Sequence, residues 1–280
     1  MKKKVGIVFS GEGARGSYQA GVLRRLLNDG VRPDVLYGTS SGAMNAVGYS
    51  YMGIDLLEKT WRQLGSIDKV FKSHGLACLW RDGMYSVDPL RKIVTAAVLG
   101  RNQAPKPVTV SKVDLLTGDL SYVCNTTSRP EAFIEAVLAS AAIPGLVEPV
   151  EGRWTDGGTK VRAPLKRAVE DGVTDLHVIM ASPPKPDPWS EIPALLRVGP
   201  FKLFKCPMVA YRAMGLTLHQ LMIQDVQTCH SKNQSEHHRE IDLHVYGPKS
   251  PLWSPTDFSE TPYGFNLGYS QHAEFDLADL

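Results

Sequence analysis

The chain has 280 residues, 43% of them hydrophobic and 21% charged, with a formal net charge of +2. That apolar content can build a substantial core, and the near-neutral balance argues against a nucleic-acid partner, which would favour a basic stripe. Cys78, Cys124, Cys206 and Cys229 stand without paired spacing, so neither a metal box nor a disulfide framework is expected, and a cytoplasmic, reducing setting is the simplest.

Three lysines ahead of Val5–Phe9 look like the start of a signal peptide, but the apolar run meets Gly11, Glu12 and Arg15 too early for one. Val5 to Phe9 is predicted instead as a strand buried on both faces. A turn over Ser10 to Gly13 leads to a helix from Ala14 to Asn28, with Tyr18, Val22, Leu23, Leu26 and Leu27 as its apolar stripe. Asp34 to Tyr37 reads as a second strand, 38–42 as a tight turn, and Ala43 to Met52 as a helix of small residues. Strand, turn, helix, repeated, opens an α/β fold with a parallel sheet. Helices are predicted over Ile54–Leu64, Val87–Val98 and Pro130–Ala142, with strands at Val108–Leu115 and Leu120–Cys124 joined by a hairpin turn. Leu176–Ala181 and Ile241–Tyr246 are late strands, Ser182–Trp189 is a proline-rich loop, and Ile192–Gln227 is mostly helical. With no internal repeat, a single domain over 1–280 is favoured. No run approaches the ~18 apolar residues of a membrane span. Apolar and basic residues mix over 189–224, among them Trp189, Phe201, Lys202, Phe204 and Lys205. That mixture suits either an amphipathic core helix or peripheral contact with a lipid surface.

Two glycine motifs carry the chemistry. Gly11-Glu12-Gly13-Ala14-Arg15-Gly16 spells G-x-G-x-x-G after a strand and before a helix, an anion cradle that fits a dinucleotide pyrophosphate or some other negative charge. Gly38-Thr39-Ser40-Ser41-Gly42 fits G-x-S-x-G, and the spacing selects Ser40. A sharp strand-to-helix turn lifts the serine hydroxyl out of the sheet, and flanking glycines let the chain pass closely. A dinucleotide site would want an acid at the end of the second strand, but Asp34 stands at its start, ahead of Val35–Tyr37, and the serine turn ends it. None of the eight histidines stands in a loop bracketed by small residues after a strand, and none of their spacings suggests zinc. His177 and His244 fall inside predicted strands. Asp156, followed by Gly157 and Gly158, is the alternative base for a serine.

The order of these three motifs resembles the patatin-like phospholipase family. "ARGSYQAGVL" at 14–23, "GTSSGAMNA" at 38–46, "LASAAIPGLVEPV" at 138–150 and "DGGTKVRAPL" at 156–165 are similar to that family's segments, and "GYSQH" at 268–272 to its closing helix. The resemblance implies a three-layer α/β/α fold with a mostly parallel central sheet and a lipid acyl hydrolase needing neither metal nor organic cofactor. Ser40 would be the nucleophile and Asp156 its base. Backbone N–H groups of Gly11, Glu12, Gly13 and Ala14 would form the oxyanion hole, with Arg15, Gly16, Gly38, Gly42, Gly157 and Gly158 supporting the geometry. The chain departs from the family pattern at two positions. Glu12 stands where a third glycine is common, and Arg162 stands where many members have asparagine. Those departures keep a non-catalytic lipid- or partner-binding relative in play beside the hydrolase. A histidine-containing α/β-hydrolase fits less well, since its serine turn comes after several strands and here it follows the second.

Overall fold

The computed structural model describes residues 3–100, 105–185, 205–235 and 241–277. Strands β1 (Val5–Phe9), β2 (Val35–Gly38), β5 (Val108–Asp114), β6 (Leu120–Cys124), β7 (Trp154–Asp156), β8 (Asp175–Ile179), β9 (Asp242–Gly247) and β10 (Ala273–Phe275) form one sheet, and β3 (Lys72–Ser73) and β4 (Tyr85–Ser86) a small hairpin. The sheet order is β10-β9-β8-β1-β2-β5-β6, with β7 also paired to β5. The central strands β9, β8, β1, β2 and β5 run parallel, and β10, β6 and β7 pair antiparallel.

Helices α1 (Gly16–Asn28), α2 (Ser41–Met52), α3 (Ile54–Leu64), α4 (Asp88–Leu99), α5 (Pro130–Ser140), α6 (Leu165–Glu170), α7 (Lys205–Ser235) and α8 (Thr261–Gln271) cover both faces. Alternation along the strands divides the core. Ile7, Phe9 and Leu36 pack with Tyr18, Val47, Leu57, Leu90 and Phe133 from α1 to α5 and with Phe265 of α8. Val8, Val35, Tyr37 and Val178 face the other way, against Leu165 and Ala168 of α6 and Met222, Ile223 and Val226 of α7. The three-layer α/β/α architecture expected from the sequence is what forms. No helix among the described residues is long and apolar enough to cross a membrane.

Two of the boundaries that differ from expectation flank the site. A short 3-10 turn, Gly13–Arg15, precedes α1, which begins at Gly16. Helix α2 begins at Ser41, not Ala43, because Ser40 alone absorbs the change of direction. The short elements β10, α6 and the β3–β4 hairpin carry too few residues for a periodic signal. Residues 186–204, which include residues 189–204 of the apolar and basic stretch and part of the proline-rich loop, lie outside the described residues, while the predicted late helix is seen from Lys205 on, as α7.

The pairing on β5 brings distant motifs together. β2 leaves β5 at the Gly38–Val110 pair, and β7 occupies the same edge two residues further on, with Asp156 opposite Lys112. The turn after β2 and the end of β7 therefore meet. Ser111, between those two pairs, fixes the junction through a 2.6 Å hydroxyl–hydroxyl hydrogen bond to Thr39.

Candidate active site

Ser40 has φ 56° and ψ −128°, a backbone region that costs a non-glycine residue about 1–3 kcal/mol. The surroundings hold it there. Its N–H donates to Ser140 Oγ at 2.9 Å. A Cβ on Gly38 would stand 2.3 Å from the Gly42 carbonyl oxygen, and one on Gly42 would stand 2.4 Å from the Phe9 carbonyl oxygen. Only glycine at both positions lets α2 start directly over the ends of β1 and β2.

Asp156 closes the other side. Its Oδ1 accepts the Gly158 N–H at 2.7 Å, and its own N–H donates to the Ala142 carbonyl at 3.0 Å. Burial pushes its carboxyl up from 3.8 to about 6, opposed by hydrogen bonds from the Ser40 hydroxyl and Gly158 N–H and by the charge of Arg162. Ser40 and Asp156 are thus brought together as the motif order implied. Gly157 and Gly158 open the 3-10 turn after β7.

The glycine loop lies beside the elbow. Three of its four expected donors already have acceptors: Gly11 N–H the Arg162 carbonyl at 3.1 Å, Glu12 N–H Ser41 Oγ at 3.0 Å, and Ala14 N–H the Pro255 carbonyl at 2.7 Å. The N–H groups of Gly13 and Ser41 have no partner among the described residues. Gly13, at φ +59°, passes so near the Pro255 carbonyl that a Cβ would come within 2.3 Å of its oxygen. Gly16 packs against Trp61 and Ser41 at the start of α1.

The two departures from the family pattern prove to be partners. Glu12 points away from Ser40 into the interior, where its Oε2 meets Arg162 Nη2 at 2.8 Å and accepts the Ser182 hydroxyl at 2.7 Å. The glutamate side chain is fully buried and Arg162 is 12% exposed. Arg162 also donates from Nε to the Gly11 carbonyl at 2.5 Å. Its own N–H and that of Ala163 both donate to Asp225 Oδ2 on α7 at 3.0 Å. Arg15 donates to the Trp253 carbonyl at 2.6 Å and to Ser182 at 3.2 Å, so it braces the loop from beneath.

A cavity runs from Gly13, Ser40 and Ser41 into the apolar layer between Met44 and Val47 of α2, Leu57 and Trp61 of α3, and Leu90 and Val94 of α4. No histidine lines it among the described residues. Ser140, Ser182, Asp225 and the 253–258 segment were not singled out from the sequence. Each acts through backbone approach or single hydrogen bonds, which leave no pattern in spacing.

Over residues 7–169 the sequence matches the family model described as patatin-like phospholipase. The chain belongs to this family. It is 31% identical over 168 residues to lysophospholipase nte1 of Aspergillus terreus, an alignment covering 56% of this chain and 10% of that protein. The chain therefore spans about a tenth of that relative's length. It aligns with VipD from Legionella pneumophila at 12% identity and a TM-score of 0.48, over 99% of this chain and 68% of the other. Membership, with an elbow at the end of β2, removes the dinucleotide reading of the first loop.

Two outcomes test this geometry. Arg162→Ala leaves the Glu12 carboxylate buried without its counter-charge and should cost about 3–5 kcal/mol in chemical denaturation; Glu12→Gly/Arg162→Asn, which removes both charges, should cost clearly less. An equal loss in both variants would contradict the pairing. For Asp156, the folded carboxyl at about 6 lies above its unfolded value. The native state therefore holds the proton more tightly, and the stability this supplies at low pH is lost as pH rises through about 6. The ionised group costs on the order of 3 kcal/mol at neutral pH. Asp156→Asn should accordingly raise the Tm at pH 7–8, by an amount that shrinks as pH falls toward 4; a pH-independent difference would contradict it.

Proposed function

We propose that this protein is a serine acyl hydrolase acting on carboxylic esters of lipids, of the phospholipid or lysophospholipid class, with Ser40 and Asp156 as a catalytic dyad. One observation carries the reading. A serine held in strained backbone geometry faces a buried carboxyl whose proton affinity is raised to about 6, at the head of an apolar cavity. A carboxylate near that value is a far better proton acceptor than an exposed aspartate and is still ionised at neutral pH.

In the proposed reaction, the Ser40 oxygen attacks the ester carbonyl while its proton passes to Asp156. The negative charge gathers on the former carbonyl oxygen. Gly13 and Ser41 line the cavity, and their N–H groups, without a partner among the described residues, suit that charge; one such donor typically contributes about 3 kcal/mol to the transition state. Gly11, Glu12 and Ala14 then shape the loop and hold it in place. Collapse of the intermediate breaks the ester C–O bond, Asp156 returns the proton to the departing alcohol, and the acyl group remains on Ser40. Water, giving a proton to Asp156, then attacks the acyl carbonyl; the Ser40 Oγ–acyl bond breaks, Asp156 returns the proton to Ser40 Oγ, and the fatty acid leaves. The apolar walls from α2, α3 and α4 suit a fatty acyl chain.

Contact with the lipid surface belongs to the same reading. Leu76 and Trp80 are each 83% exposed on the 3-10 turn Gly75–Trp80. That turn springs from a hairpin whose Met84 N–H is bonded to Leu146, a residue of the cavity wall. The unbridged thiols of Cys78 and Cys124 suit work at the cytoplasmic side of a membrane.

Fatty-acid release from vesicles and from a soluble short-chain ester tests both parts. Ser40→Ala should abolish release from both, and Asp156→Asn should lower kcat by at least a hundredfold. Wild-type kcat/KM should rise with pH through about 6, because only the ionised carboxyl accepts the serine proton. Trp80→Ser should lower release from vesicles and leave the soluble ester untouched. Turnover by Ser40→Ala would overturn the assignment.

A further inference from the structure

The edge of the sheet far from Ser40 carries a second cluster. Asp175 opens β8, His177 lies two residues on along the same face, and the parallel register sets His244 of β9 directly beside His177. The rings of His177 and His244 stack at 4.8 Å between centroids. Their Nε2 atoms both turn toward one oxygen, Asp175 Oδ1, at 3.2 and 3.7 Å. That oxygen is buried and has no well-formed hydrogen bond. One ligand atom from each of the three residues lies within 4.8 Å of the other two.

We infer that Asp175, His177 and His244 form a binding site for a divalent transition-metal ion of the zinc class, clamping the β8–β9–β10 edge. With metal–ligand bonds of about 2.0–2.2 Å, ligand atoms of a tetrahedral ion stand roughly 3.4 Å from one another, and the two observed separations bracket that value. The outer contacts fit as well. His177 Nδ1 meets the Tyr246 hydroxyl at 3.2 Å, and His244 Nδ1 meets Glu274 Oε1 on β10 at 2.7 Å. Each ring thus turns its Nδ1 to an oxygen and keeps Nε2 for the ion, the arrangement by which carboxylates and hydroxyls orient metal-binding histidines. His244 is 37% exposed, which gives an ion a way in and leaves a fourth position for water. Two nitrogens and one carboxylate oxygen suit zinc and its first-row neighbours over magnesium or calcium, which prefer all-oxygen shells. Sequence spacing hides the set, because 67 residues separate the two histidines and only the strand register unites them.

Chelator-treated full-length protein titrated with Zn²⁺ tests the inference. Wild type should bind one equivalent at this site and gain thermal stability with added metal, since an ion that binds only the folded state stabilises it. His244→Gln, at a partly exposed position, should remove that equivalent and the Tm gain while leaving ester hydrolysis unchanged. Glu274→Gln should weaken affinity about 10–100-fold. Substitution with Co²⁺ should give the intense visible absorption of a four-coordinate ion in wild type and not in His244→Gln. No binding by wild type, or the same stoichiometry and Tm gain in His244→Gln, would overturn the site.

Discussion

The buried pair between Glu12 and Arg162 is the interaction on which the site's geometry rests. Two segments that must meet are held by it: the loop after β1 and the chain that follows Asp156. Arg162 reaches the Glu12 carboxylate with Nη2 and the Gly11 carbonyl with Nε, while its backbone is fixed by Gly11 and Asp225. Taken singly, Glu12 puts a negative charge in the G-x-G-x-x-G loop and Arg162 puts a cation near Asp156. Taken together they neutralise each other inside the protein and leave the cavity side of the loop uncharged. A buried ion pair of this kind adds little net stability over an apolar pair, but breaking it is costly. Its contribution is therefore to position. Arg162 also favours the ionised form of Asp156, so the pair is linked to that carboxyl as well as to the loop.

The rest of the site is held at a cost in stability. Ser40 sits in a backbone region that serine avoids, and Asp156 is ionised where burial penalises its charge. Both are held by rigid neighbours: glycines at 38 and 42, the Ser140 hydroxyl, and the β5–β7 pairing. Strain and burial concentrated at one point, in a fold otherwise packed with aliphatic side chains, are what a preorganised reaction centre requires.

Much of this was legible in the sequence, and the reason is local. The strands β1 and β2 are continuous apolar runs, β5 and β8 are aliphatic-rich strands with interspersed polar residues, and the motifs at 11–16, 38–42 and 156–158 need glycine at fixed offsets whatever the tertiary context. The encounter of Ser40 with Asp156 followed from motif order through the family resemblance. What was not legible depends on contacts between distant segments. The loop donors of Gly11, Glu12 and Ala14 are occupied by Arg162, Ser41 and Pro255, which no spacing could indicate. Glu12 and Arg162 read as separate departures because they stand 150 positions apart. The Asp175, His177 and His244 cluster is likewise a product of strand register, since each histidine alone looks like an ordinary strand residue.

The central claim is that Ser40 is the nucleophile and Asp156 makes it one. The most direct measurement is treatment of the folded protein with a fluorophosphonate, followed by peptide mapping by mass spectrometry. The account predicts a single adduct on Ser40, formed at a rate that rises through about pH 6 and drops sharply in Asp156→Asn. An adduct on another residue, or labelling of Ser40 that is indifferent to Asp156, would contradict it.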